Sequence, residues 1–153
     1  FVWVGERYST KTESRRFDEA LAQDFADGGL ADHFHRLGFR QDIAAILREL
    51  DLLLHLARQE PLGRVLLEAA ASGCPIVASD VGGTREIVQH EQTALLFPAD
   101  DVERAAKQIE WILESRTLSE GLSRAARKKI EREFNITNAT RHLEEFWMTL
   151  LGE

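Results

Sequence analysis

Apolar residues follow two alternating patterns along the chain. Short runs that are continuously apolar or β-rich fall at residues 1–4, 33–37, 51–56, 75–79 and 94–97. Such runs predict parallel strands, because a strand covered on both faces has no polar alternation. Between them apolar side chains recur at helical spacing. Phe17, Leu21 and Phe25 stand at i, i+4 and i+8 within residues 13–26, and Asp42 sits at a capping position ahead of Ile43, Ile46, Leu47 and Leu50. Further helices are predicted over 63–72, 84–89 and 101–114, the last with Val102, Ala105, Ile109 and Ile112 on one face. Strands alternating with helices of this length imply crossover units, so the fold class is α/β with a doubly wound parallel sheet. Past that alternation the pattern is helical only, over 118–134 and 140–151, which predicts a C-terminal helical tail.

In an open sheet of this class, ligands bind beyond the carboxyl ends of the strands. The loops on that edge are residues 5–11, 38–42, 57–63, 79–84 and 98–101, and Gly5, Gly38, Gly63, Gly82 and Gly83 fall within them. Function is therefore to be sought there.

Composition narrows the classes of partner. A chain of 153 residues is one domain's length and can bury a substantial core, so residues 1–153 read as a single domain. The formal charge of −7 argues against a nucleic-acid surface, which needs a basic face. The single Cys74 rules out an intrachain disulfide and fits a reducing cytoplasm; it reads as a small buried residue between a helix end and a strand. No apolar run approaches the roughly 20 residues of a membrane helix. The cluster Arg124, Arg127, Lys128, Lys129 and Arg132 reads as a solvated helix face, and the sequons at Asn135 and Asn138 carry no weight in a cytoplasmic protein. The opening "FVWVGERYS" lacks a methionine and already lies inside an apolar strand, the mark expected of a piece of a longer protein.

The candidate chemistry sits in "QEPLGRVLLEAAASGCPIVASDVGGTREIV", residues 59–88. Gly63 opens a helix whose first N–H groups have no intrahelical acceptor, and the positive end of the helix suits a phosphate. Glu60 and Glu68 flank that start, eight positions apart. An ionised carboxylate only accepts hydrogen bonds, so vicinal hydroxyls of a ribose or hexose are its natural partners. The arrangement these residues suggest puts a diphosphate on the amides of Leu62 and Gly63 and a diol on each glutamate. Ala69, Ala70 and Ala71 let the helix approach the sheet closely. Gly82 and Gly83 follow a strand and precede a short helix, a second source of amides facing a ligand. A plainer reading uses the same residues: Glu60 an ordinary cap, Glu68 an exposed helix residue, Gly82 and Gly83 a turn.

"EPLGRVLLEAAASGCPIVASDVGGTREIV" followed by "TALLFPADDVERAAKQI" resembles the donor-binding domain of retaining glycosyltransferases of GT-B architecture, the group 1 class called family 4. The signature of that family is Glu, seven residues, Glu, which Glu60 and Glu68 match. The resemblance extends through "VWVGERYS", "HFHRLGFRQDIAAILRELDLLL" and "EFNITNATRHLEEFWMTL", nearly the whole chain. It implies the Rossmann-like C-terminal half of a longer enzyme, lacking its first strand and helix. It further implies transfer of a sugar from a nucleotide-diphosphate sugar to an acceptor, with retention of anomeric configuration. Glu60 would then be catalytic, contacting the donor sugar and stabilising developing charge. Glu68 would hold the ribose, Leu62 and Gly63 would lie near the sugar and diphosphate, and the loop of Gly38, Phe39 and Arg40, with Gly5, would border the base. No cofactor is implied beyond the donor substrate, and no metal, in keeping with the absence of an Asp-x-Asp pair. The acceptor, a glycan, lipid or small molecule, would bind the missing N-terminal domain, which leaves room for peripheral membrane association of the whole enzyme.

Departures from the family pattern are Leu62 where Phe is usual and Ala57 where Ser is frequent. The Arg and Lys that contact the diphosphate in the family belong to the segment before this chain begins, so the chain alone is expected to be inactive. Two alternatives use the same alternation of strands and helices. A sugar-nucleotide epimerase of related fold does not share the Glu-seven-Glu segment so closely. A non-catalytic α/β module such as a receiver domain needs an acidic cluster at strand ends, whereas Asp51 begins its strand.

Overall fold

A computed structural model of the chain describes residues 1–6 and 10–152. The chain forms two compact units, Phe1–Ile43 and the residues from Ala44 onward. In the first unit β1 (Val2–Trp3) and β2 (His35–Arg36) pair in parallel, Val2 opposite His35 and Trp3 opposite Arg36. Helix α1 (Thr12–Asp27) connects them. Phe34 stacks on Phe25 of α1 with ring centroids 4.0 Å apart and meets Trp3 edge-on at 5.9 Å. The guanidinium of Arg36 lies over Trp3 and pairs with Asp18 at 3.3 Å. The strand expected from residue 33 begins only at His35, because Ala31–His33 closes a 3-10 turn in which the His33 amide bonds the Leu30 carbonyl.

The second unit carries the three-stranded parallel sheet. After α2 (Ile43–Glu49) come β3 (Leu53–His55), β4 (Ile76–Ser79) and β5 (Leu95–Phe97), in the order β3-β4-β5. Leu54 pairs with Val77, and Ala78 with Leu96. Helix α3 (Arg64–Ser72) makes the first crossover, and the short α4 (Thr84–Ile87) begins the second. The expected parallel α/β order is thus present, with its strands in two separate sheets of two and three strands.

The core explains why the apolar runs were informative. Val77, Leu95 and Phe97 of the sheet are buried with Ala105 and Ile112 of α5 (Val102–Glu114) and Leu122 of α6 (Arg116–Glu133). Helix α3 packs against β4 and α6, and its Leu66, Ala69 and Ala70 are fully buried, so two of the three alanines are at the packed face while Ala71 is exposed. Cys74 is buried between α3 and β4, where burial pushes its thiol up to about 11 and leaves it unreactive at neutral pH.

Helices at the C-terminal end start earlier than the pattern suggested. Ser115 caps α6 by accepting from the Leu118 amide, and Asn135 caps α7 (Ile136–Leu151) by accepting from the Asn138 amide at 2.9 Å. These caps are polar residues ahead of weakly periodic segments, so apolar spacing alone places the starts too late. The basic residues of α6 are engaged locally. Arg127 pairs with Glu131, Arg132 with Glu133, and Lys129 donates to the Glu86 carbonyl at the end of α4, 2.9 Å away. Arg124, Arg127, Lys128 and Arg132 are exposed, as a solvated face requires, but Lys129 departs from that expectation: its side chain is 12% exposed and ties α6 to α4. Among the described residues no helix is long and apolar enough to cross a membrane.

Candidate functional site

Because β3 and β4 are neighbours, their exit loops lie side by side at the carboxyl edge. They touch backbone to backbone. A Cβ on Gly82 would stand 2.3 Å from the Glu60 carbonyl oxygen, and one on Gly83 would stand 2.5 Å from that of Pro61. The Gly83 amide donates to the Glu60 carbonyl at 2.8 Å. The buried Ser79 hydroxyl donates to the Ala57 carbonyl at 2.6 Å, a second anchor for the loop after β3.

That loop positions the Glu60 carboxylate at the start of α3. Gly63 caps the helix in the left-handed region, φ 77° and ψ 50°, which turns the chain so that two successive amides converge. Glu60 Oε1 accepts from the Gly63 amide at 2.6 Å and the Leu62 amide at 3.2 Å, while Oε2 lies 3.1 Å from His55 Nε2. Its side chain is 21% exposed. Burial pushes the carboxyl pKa up, but the Gly63 and Leu62 amides and His55 outweigh it and hold Glu60 below its ordinary range. Glu60 is therefore a firmly ionised carboxylate at neutral pH.

This shift has a stability consequence. A depressed folded-state pKa contributes stability that is fully present above the unfolded value, about 4.3 for Glu, and is lost as pH falls through the folded value. Asp80 acts in the same direction, because the Arg85 guanidinium holds its carboxyl below the usual range. Thermal melts are expected to be flat from neutral pH to about 5 and to fall below about 4.3, with a shallower fall in Glu60→Gln. An equally steep acid limb in that variant would contradict the assignment.

The structure corrects two expectations. The Leu62 and Gly63 amides do not stand open to a diphosphate, because Glu60 already occupies them. A carboxylate three residues before a helix is within capping reach, and the positive helix end attracts it. The Gly83 amide does not face a ligand either, since it holds the Glu60 carbonyl. Glu68 lies exposed on α3 in an i,i+4 pair with Arg64, 3.7 Å apart. Arg58 donates to Asp100 of the loop after β5 at 2.9 Å. In the first unit Gly5 donates to the Gly38 carbonyl at 2.9 Å, the Phe39 amide to Glu6, and Arg40 forms a two-bond fork with Asp42 at 2.8 and 2.6 Å. Of the expected loop 5–11, residues 7–9 lie outside the described residues.

The sequence-derived site residues thus gather in two clusters, one in each unit. His55 and Ser79 belong with Glu60, although spacing did not single them out. The available signal was a polar side chain closing an otherwise apolar strand on the ligand-binding edge. Among the described residues no group of three His, Cys, Asp or Glu side chains is arranged to hold a metal ion.

Known proteins resemble the chain in both sequence and fold. N-acetyl-alpha-D-glucosaminyl L-malate synthase of Bacillus anthracis is 31% identical over 117 residues, which are 76% of this chain and 31% of that protein. The lipopolysaccharide core biosynthesis mannosyltransferase LpsB of Rhizobium meliloti is 30% identical over 88% of this chain and 39% of its own length. The chain therefore spans about a third of the curated relatives it matches. Crystal structures of HepE from Anabaena, with UDP and with UDP-glucose, superpose with TM-scores of 0.89 and 0.88 at 26% identity, over 97% of this chain and 40% of HepE. The parallel α/β order is that of the Rossmann-like half of GT-B structures. Residues 17–129 match the family model described as glycosyl transferases group 1. Matched over most of its length by that model, the chain belongs to the group 1 glycosyl transferases.

Proposed function

We propose that this chain is the donor-binding part of an enzyme that transfers a sugar from a nucleotide-diphosphate sugar to an acceptor, with retention at the anomeric carbon. The observation that carries the reading is the Glu60 carboxylate, held ionised at the carboxyl edge of the sheet by two amides and a histidine. Departure of a diphosphate leaves positive charge on the anomeric carbon and ring oxygen. A fixed negative group beside that centre stabilises the transition state more than the ground state. Glu60 is assigned this role, with its free lone pairs accepting from hydroxyls of the donor sugar.

Leu62 and Gly63 act through the turn that aims Glu60, and the Arg64 and Val65 amides behind them, which have no intrahelical acceptor, face the diphosphate. Gly82 and Gly83 line the same edge with bare backbone. Glu68 is exposed enough to take the ribose diol. The acceptor site and the cations that offset the diphosphate are assigned outside these residues, in keeping with relatives of which the chain spans about a third, and the reaction is assigned to the whole protein in the cytoplasm.

Two measurements on the full-length protein test this reading. The full-length protein is incubated with α-configured UDP-glucose or GDP-mannose and an acceptor, and the product is examined by proton NMR; an α-linkage is expected, and a β-linked product would exclude retention. Removing the ribose contact in Glu68→Ala should weaken UDP binding by about 1–3 kcal/mol in calorimetry, as for loss of a charged hydrogen-bond partner. Equal affinity would remove Glu68 from the site.

A further inference from the structure

His55 closes β3, and its ring is 13% exposed. Its Nε2 lies 3.1 Å from Glu60 Oε2, and its Nδ1 is buried with no hydrogen-bond partner. A hydrogen on Nδ1 would be an unpaired donor in the interior, which is less tolerable than a bare lone pair. Nε2 therefore carries the hydrogen and donates it to Glu60. The two amides fix only Oε1, and on their own they leave the carboxylate free to swing its second oxygen about the terminal torsion, which is soft for Glu. The His55 bond stops that motion. The imidazole is itself anchored, since the backbone around it is tied to β4 by the ladder and by the Ser79 hydroxyl.

We infer that His55 is a positioning residue: it fixes the plane of the Glu60 carboxylate so that the second oxygen keeps one direction. This rests on the charge-stabilising role proposed for Glu60. The ring does not act on the donor; it acts through Glu60.

The decisive variants are His55→Leu, which removes the donor while keeping an apolar side chain, and the pair His55→Gln and His55→Asn. The amide nitrogen of Gln reaches the position of Nε2, whereas that of Asn reaches only that of Nδ1. In the full-length protein turning over UDP-glucose or GDP-mannose, kcat should fall by about 10- to 100-fold in His55→Leu and His55→Asn, the rate equivalent of losing a hydrogen bond to a charged group. KM and the Kd for UDP should stay within about twofold, since binding is not what the bond supplies. His55→Gln should recover most of the lost kcat. Wild-type turnover in His55→Leu, or equal loss in Gln and Asn, would overturn the inference. So would a parallel fall of kcat, UDP affinity and melting temperature without rescue, which is the signature of a merely structural histidine.

Crystal structures give a readout independent of the donor. In His55→Leu the Glu60 carboxylate should turn while its contacts with the Leu62 and Gly63 amides persist; an unmoved carboxylate would overturn the positioning role. Glu60→Gln, assayed alongside, separates the two ideas. If Glu60→Gln retains turnover, the charge-stabilising role fails, while the crystallographic comparison still decides whether His55 holds the carboxylate.

Discussion

Replacing Glu60 by glutamine is expected to lower kcat of the full-length protein about 100- to 1000-fold, the range seen when one preorganised electrostatic contact to a transition state is removed. The substitution preserves size and one acceptor oxygen. That oxygen can still cap α3 on the Leu62 and Gly63 amides, so the fold should persist. What is lost is the negative charge, which the site maintains by holding the carboxyl pKa down, together with the oxygen that accepts from His55 Nε2. UDP affinity should hold within a few-fold, because the ribose contact is assigned to Glu68. A Glu60→Gln protein that turns over donor at the wild-type rate would remove Glu60 from catalysis.

Gly83→Ala is expected to have the next largest effect, for a steric reason. Gly83 has φ −67°, a conformation any residue adopts, so no backbone strain enters. The added Cβ would nevertheless meet the Pro61 carbonyl oxygen at 2.5 Å and the Leu62 Cα at 3.1 Å. Both are backbone, and neither can rotate away. The loop carrying Glu60 must retreat, stretching the 2.8 Å bond from the Gly83 amide to the Glu60 carbonyl. Overpacking of this kind costs typically about 1–3 kcal/mol. Displacing a catalytic group by about 1 Å can cost about 100-fold in rate. Stability measured by denaturant and kcat measured on the same preparation should fall together. An alanine variant with unchanged turnover would mean that the two loops are not held in contact.

The parts of this architecture visible in the sequence are those that depend on local chemistry. Residues 75–79 and 94–97 read as buried strands because nothing polar interrupts them, and both strands are fully buried at Ile76, Val77 and Leu95. The Glu-seven-Glu spacing around a glycine-opened helix marked the candidate site. Features set by a neighbouring segment were not visible. Gly83 read as a turn residue or amide donor, yet its lack of a side chain is required by the Pro61 backbone, 22 positions away in sequence. The Leu62 and Gly63 amides read as open because spacing alone does not show that Gly63 turns left-handed and brings them onto the Glu60 carboxylate. His55 escaped notice for a similar reason: its distance to Glu60 depends on how the loop of residues 56–59 folds back, and no periodicity encodes that.

The most direct test of the central claim is release of nucleoside diphosphate by the full-length protein, wild type and Glu60→Gln in parallel, with UDP-glucose and with GDP-mannose. The expected result is turnover of at least one donor by the wild type and loss of about 99% or more of that rate in the variant, with UDP binding retained. No release from either donor, or equal release by both proteins, would contradict it.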